Sequence, residues 1–61
     1  MITLMGYASM LAYKLGYFLG SVEEQEGTHY VLIRIEDRSC IAYKSLDGVL
    51  NFLAEKNEIN S

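Results

Sequence analysis

The first third of the chain, residues 2–22, is apolar almost without interruption, and Lys14 is the only formal charge within it. Placed at 100° per residue, this stretch carries large apolar side chains on two opposite sides. A helix on the surface of a monomer usually has one apolar side and a second side rich in Lys, Glu and Gln. The pattern therefore predicts a water-soluble helix that is covered twice, by its own domain and by another molecule.

The side predicted to face the domain is a run of apolar residues at helical spacing. Its members are Leu4, Ala8, Leu11, Leu15 and Phe18, with Val22 added if the helix continues that far. The opposite side offers Met10, Tyr13 and Tyr17, and these residue types are enriched in the centres of protein interfaces. This second side is the predicted contact surface.

Small residues recur every four positions along the same segment, a spacing that lets a second helix approach closely. They are Ala8, Ala12, Gly16 and Gly20, and chance is an equally good explanation for four common residues in step. Inside a helix, each of the two glycines would cost about 1 kcal/mol relative to Ala. They therefore indicate either a packing role or a helix that ends early.

The end of this first helix has two interpretations. Gly16 could end it, with Lys14 in the last turn near the negative end of the helix dipole. Gly20 could end it equally well, and we favour this longer helix. If the helix stops at Gly16, residues 17–23 form an additional strand that turns at residues 24–27.

Residues 29–36 are rich in β-branched and aromatic residues, which predicts a strand. Its two faces carry Val31, Ile33 and Ile35 on one side and Tyr30, Leu32 and Arg34 on the other. We expect the face with Tyr30 and Leu32 to be the one that a two-layer domain leaves uncovered.

A turn at Asp37 and Arg38 leads into a returning strand over residues 39–44. The pairing register is not determined by the sequence. A three-residue loop would place Ile41 and Tyr43 on the same face as Val31 and give one strongly apolar face. A slip by one residue would make both faces mixed.

A second helix is predicted over residues 46–56. Ser45 is a suitable N-cap, and Asp47 brings negative charge into the first turn. Leu46, Val49, Leu50 and Leu53 follow the spacing of a core-facing stripe. Phe52 lies off that stripe, and Asn57 is the predicted stop. The element order is then α-β-β-α, or α-β-β-β-α with the additional strand, in a two-layer α+β fold that forms one small domain over residues 1–61.

Length and composition restrict how so small a domain is stabilised. A 61-residue chain buries only about 60% of its unfolded surface, so small domains often add disulfides, a metal or oligomerisation. Cys40 is the only cysteine and His29 the only histidine, which excludes an internal disulfide and a four-ligand zinc site. Oligomerisation remains, and one free thiol fits a reducing compartment such as the cytoplasm.

The charged residues argue against nucleic-acid binding. The net charge is −3, and the five basic residues are scattered rather than clustered on one face. The acidic run at residues 23–26 lacks the ligand spacing of a calcium loop and is better explained as a solvated turn. His29 and Cys40 would have to lie side by side to act as base and nucleophile, and the expected pairing holds them apart. We predict no catalytic residue, no cofactor and no metal.

These observations predict a non-enzymatic protein-interaction module that acts as a homodimer, in the manner of an adaptor or a stoichiometric inhibitor such as phages and mobile elements carry. The predicted interface consists of Met10, Tyr13, Tyr17, Gly16, Gly20 and Phe52.

Two alternatives stay open. In the first, residues 2–22 associate with a membrane, although Lys14 near the middle would cost about 2.5–3.5 kcal/mol on insertion. In the second, a ligand or enzyme site forms at a dimer seam lined by Tyr13, Tyr17 and Tyr30.

Overall fold

The computed structural model describes residues 2–60, which form two helices and one three-stranded sheet. The elements in chain order are α1 (Leu4–Lys14), β1 (Tyr17–Glu24), β2 (Gly27–Arg34), β3 (Cys40–Tyr43) and α2 (Leu46–Asn60). The strands are antiparallel and lie in the order β1-β2-β3. The α-β-β-β-α alternative is therefore confirmed, and the additional strand lies where the shorter first helix allows it.

The first helix is capped at both ends. Thr3 precedes it, and the Thr3 hydroxyl accepts a hydrogen bond from the Gly6 N–H at 2.9 Å. Leu15 ends it, and Gly16 follows with φ of +91°. The preference for a helix reaching Gly20 was wrong. Gly16 adopts the left-handed conformation without steric penalty, and the aromatic and β-branched residues after it gain more from strand pairing.

β1 and β2 form a hairpin with a tight acidic turn. Glu24 pairs with Gly27, so only Gln25 and Glu26 connect the strands. Gly27 has φ of +138°, a conformation that only glycine adopts readily. The turn predicted for the additional strand is confirmed, and the acidic run surrounds it.

A five-residue loop, residues 35–39, joins β2 to β3. The Arg34 N–H donates to the Ser39 carbonyl at 2.8 Å, and Arg38 supplies the positive φ, at +62°, that a glycine would otherwise provide. The Asp37 carboxylate accepts from the Ser39 N–H and hydroxyl at 3.0 and 2.8 Å. These bonds, with a smaller contribution from the Arg34 guanidinium, lower the pKa of Asp37.

The register decides which side of the sheet faces the helices. Cross-strand partners project from the same face. One face therefore carries Tyr17, Leu19, Tyr30, Leu32, Ile41 and Tyr43. This is the face that the helices cover, since Leu32 is fully buried and Leu19, Tyr30 and Tyr43 pack against the core. The expectation that Tyr30 and Leu32 are uncovered was thus wrong. Of the two registers that the sequence left open, the structure has the slipped one, in which Ile41 and Tyr43 lie on the face of Tyr30 and Leu32.

The core lies between this face and the helices. Its buried members are Ala8, Ala12, Tyr17, Leu32, Val49 and Leu53. The rings of Tyr17 and Phe52 meet edge to face with centroids 5.6 Å apart, and the Tyr43 ring lies 6.2 Å from Phe52. Burial, and then the proximity of Tyr17, raise the pKa of Tyr43.

Helix α1 reaches the core through small residues. Ala8 and Ala12 are completely buried, and Leu11 and Leu15 pack around them. The first two small residues of the four-residue repeat, Ala8 and Ala12, therefore let α1 approach its own domain closely. The rest of the expected core stripe was wrong, because Leu4, Phe18 and Val22 are exposed.

Helix α2 begins at Leu46 as predicted and is longer than predicted. It continues through Asn57 to Asn60, because residues 57–60 contain no glycine or proline that would end it. Val49 and Leu53 form its buried stripe. Phe52 was expected to lie off that stripe, and it packs against the core beside them.

Candidate interaction surfaces

The second face of the sheet has no layer of structure over it among residues 2–60. Alternation along the strands places on it Phe18, Gly20, Val22, Val31, Ile33, Cys40 and Ala42. Ile35 follows on the same side, and together we name these residues the open sheet face. Phe18 is 56% exposed and Val22 46%. An antiparallel sheet with one face in water normally carries polar residues there, so this face is unusually apolar.

A row of small side chains runs across the three strands at the middle of the open sheet face, and we name it the low row. Gly20 pairs with Val31, and Val31 pairs with Ala42, so small side chains flank one valine. A Cβ added at Gly20 would meet no heavy atom within 4 Å. A glycine inside a strand weakens the strand and often marks a place where another backbone approaches closely.

Charged groups stand at the two ends of this face. At one end Glu24 lies 3.4 Å from the His29 ring nitrogen Nδ1. At the other end Arg38 lines an apolar cavity of about 350 Å³ with Phe18, Ile33 and Ile35. Within residues 2–60 Arg38 has no carboxylate at ion-pair distance, because Asp37 and Glu36 lie against Arg34 at 3.8 and 3.6 Å.

A second exposed apolar surface lies on α1. The helix turns Leu4, Tyr7, Met10 and Tyr13 away from the core, and we name these four the outer helix surface. Met10 is 62% exposed and Tyr13 65%. The rings of Tyr13 and Phe18 are 5.8 Å apart, so this surface meets the open sheet face around strand β1.

The predicted interface residues are divided between the surface and the core. Met10 and Tyr13 lie on the outer helix surface, Gly20 lies on the open sheet face, and Gly16 lies in the turn between them. Tyr17 is only 7% exposed and belongs to the core, and Phe52 packs beside it. The placement of Tyr17 on an outer helical face was wrong, because the chain leaves the helix two residues earlier.

The sequence did not predict that most residues of the open sheet face are exposed. Phe18 and Val22 were placed on a buried helical stripe, and Val31 and Ile33 on the side of the hairpin expected to be buried. Gly16 is the residue of the sequence that could have identified them. If the helix ends at Gly16, residues 17–24 form a strand, and every second residue of that strand lies on the same face of the sheet.

The residues that could form a catalytic pair or line a ligand site do not lie close together. His29 and Cys40 lie on the open sheet face, but Cys40 pairs with Ile33, four residues or about 13 Å along β2 from His29. Tyr13, Tyr17 and Tyr30 do not share a seam, since Tyr13 is outside and the other two face the helices. Within residues 2–60 no group of three His, Cys, Asp or Glu side chains could hold a metal ion.

A concavity of about 450 Å³ beside the turn after α1 contains two cations, Arg34 and Lys56. Arg34 lies against Glu36 and Asp37, and the Lys56 ammonium lies 5.8 Å above the Phe52 ring. Both cations thus have partners in the chain. Over the described residues, neither helix has the length and apolar character needed to cross a bilayer.

The solvent-accessible surface of the chain is large for its molecular mass. The chain measures 38 × 31 × 16 Å, so it is a slab two layers thick, and its accessible surface is 4688 Å². A compact monomer of 6.9 kDa exposes about 4,000 Å². The excess of about 700 Å² is close to the ~800 Å² that each partner contributes to a standard interface.

Comparison with protein-family models, with curated proteins and with solved structures finds no match to this chain.

Proposed function

We propose that this chain is a non-enzymatic protein-interaction module that acts as a homodimer in the cytoplasm. The observation that supports the proposal is the open sheet face, an apolar side of a three-stranded sheet without a covering layer in the described chain. Monomeric soluble proteins seldom have contiguous apolar patches larger than a few hundred Å². A second copy is the simplest covering molecule, because two-fold dimers are the commonest oligomers.

Two exposed apolar surfaces, one on the sheet and one on α1, suit an adaptor or a stoichiometric inhibitor. A homodimer needs one surface for self-association and presents two copies of the other. The two remaining surfaces bind a partner protein by apolar contact, with aromatic and methionine side chains of the kind that interface centres contain. Cys40, an exposed free thiol, favours a reducing compartment.

Sedimentation equilibrium across the micromolar range tests the homodimer. We expect a mass of two chains that falls toward one chain on dilution. Because the second copy binds only folded protein, the thermal unfolding midpoint should rise with protein concentration. A mass of one chain throughout the range, with a midpoint independent of concentration, would overturn the proposal.

A further inference from the structure

We infer that the open sheet face is the self-association surface, and that two copies pack face to face with their strands running in opposite directions. This inference rests on the proposed homodimer and adds the surface and the orientation. It is carried by three features of one face: its apolar composition, the low row at its centre and the opposite charges at its ends.

The low row permits close approach. In a face-to-face pair the two-fold axis lies between the sheets, and an axis across the strands through Val31 sets Gly20 opposite Gly20 of the second copy. Ala42 then meets its own counterpart on the other side of Val31. Packed sheets lie about 10 Å apart, and small side chains at the axis let the larger side chains on either side interdigitate.

The larger side chains are complementary about the same axis. Phe18 and Ile33 stand one row to one side of the centre, and Val22 and His29 stand one row to the other. Rotation about the axis places the bulky row of each copy over the Val22 row of the other. Each exposed Phe18 ring is then covered by the second copy.

The charges select this orientation. With the axis across the strands, Arg38 of one copy faces Glu24 of the second copy, and the contact occurs twice. With the axis along the strands, Arg38 would face Arg38 and Glu24 would face Glu24. Like charges set opposite each other across an interface are unfavourable, so the antiparallel arrangement is preferred. Lys44 follows β3 and is separated from β1, the strand that carries Glu24, by about 10 Å across the sheet.

The first test compares one variant on each apolar surface. Gly20→Val adds side chain where the chain itself leaves space, so the subunit should fold while the close approach is blocked. Met10→Glu, on the outer helix surface, is the matched control. Sedimentation should show that Gly20→Val weakens dimerisation at least tenfold and that Met10→Glu leaves it within about threefold. Circular dichroism of each variant at low concentration should match the unaltered chain.

The second test is a charge-reversal cycle. Arg38→Glu and Glu24→Arg alone should each raise the dimer dissociation constant about three- to tenfold. The double variant restores both contacts and should return the constant to within about threefold of the original. Penalties that simply add in the double variant would overturn the antiparallel orientation.

The outcomes separate the inference from the proposed function. A dimer that survives Gly20→Val and dissociates with Met10→Glu would overturn the inference and leave the homodimer standing. A single-chain mass for the unaltered protein would overturn both.

Discussion

Gly48 lies on the first turn of α2 directly against the ring of Tyr43, and the space between them does not admit one further carbon atom. A Cβ added at Gly48 would lie 2.9 Å from the Tyr43 Cδ1 atom, closer than such atoms pack. The ring also packs against Phe52, with centroids 6.2 Å apart, which limits its movement in that direction. Glycine at this helical position is therefore explained by packing rather than by backbone conformation.

Gly48→Ala should destabilise the protein by about 1–2 kcal/mol, although alanine by itself favours a helix by about 1 kcal/mol. Chemical denaturation measures the loss, and the near-ultraviolet circular dichroism of tyrosine reports displacement of the ring. Asn51→Ala, at an exposed position of the same helix, is the control and should stabilise by a few tenths of a kcal/mol. Equal stabilisation by both substitutions would contradict the packing explanation.

At the scale of the element, α1 is short and depends on its ends. Eleven residues are too few for a stable isolated helix in water. Thr3 satisfies one free N–H at the start, and Gly16 turns the chain into β1 at the end. These two residues limit the helix to the span over which Ala8 and Ala12 contact the core.

Thr3→Ala should lower the free energy of unfolding by about 1 kcal/mol, because the Gly6 N–H loses its acceptor at the helix start. Thr3→Ser keeps the hydroxyl and should stay within about 0.5 kcal/mol of the original. Urea denaturation followed by helical circular dichroism measures both. A serine variant as unstable as the alanine variant would show that the cap does not act through the hydroxyl.

At the scale of the whole molecule, the core is small, and the stability of the fold depends on which aromatic residues belong to it. Domains of this length are stable by only about 3–9 kcal/mol. Tyr17 lies between the sheet and α2, against Phe52, whereas Tyr13 lies outside, four residues earlier in the chain. The two tyrosines look equivalent in a helical projection and differ completely in the fold.

Tyr17→Glu should cost about 3–5 kcal/mol by removing a buried aromatic ring from the core and should abolish cooperative thermal unfolding. Tyr13→Glu is the matched variant, and it should stay within about 1 kcal/mol because only the contact with Phe18 is lost. Differential scanning calorimetry distinguishes them. Cooperative unfolding of the Tyr17 variant would contradict its assignment to the core.

Much of the architecture could be predicted from local patterns. The apolar first helix, the Asp37 and Arg38 turn and the start of α2 at Leu46 each depend on neighbours within a few residues. The candidate surface could be predicted less well. Met10 and Tyr13 followed from helical spacing, but Phe18 and Val22 required knowing where α1 ends, and a glycine that could end a helix occurs at both 16 and 20.

The amino-acid sequence by itself determined the class of the fold, the hairpin and the excess of apolar side chains. Only the tertiary structure decided which side of β2 is buried. Both sides are apolar, with Tyr30 and Leu32 on one and Val31 and Ile33 on the other, so alternation alone does not distinguish them. The choice follows from long-range pairing: β1 brings Tyr17 and Leu19 to the first side, both helices pack there, and the second side has no covering layer among residues 2–60.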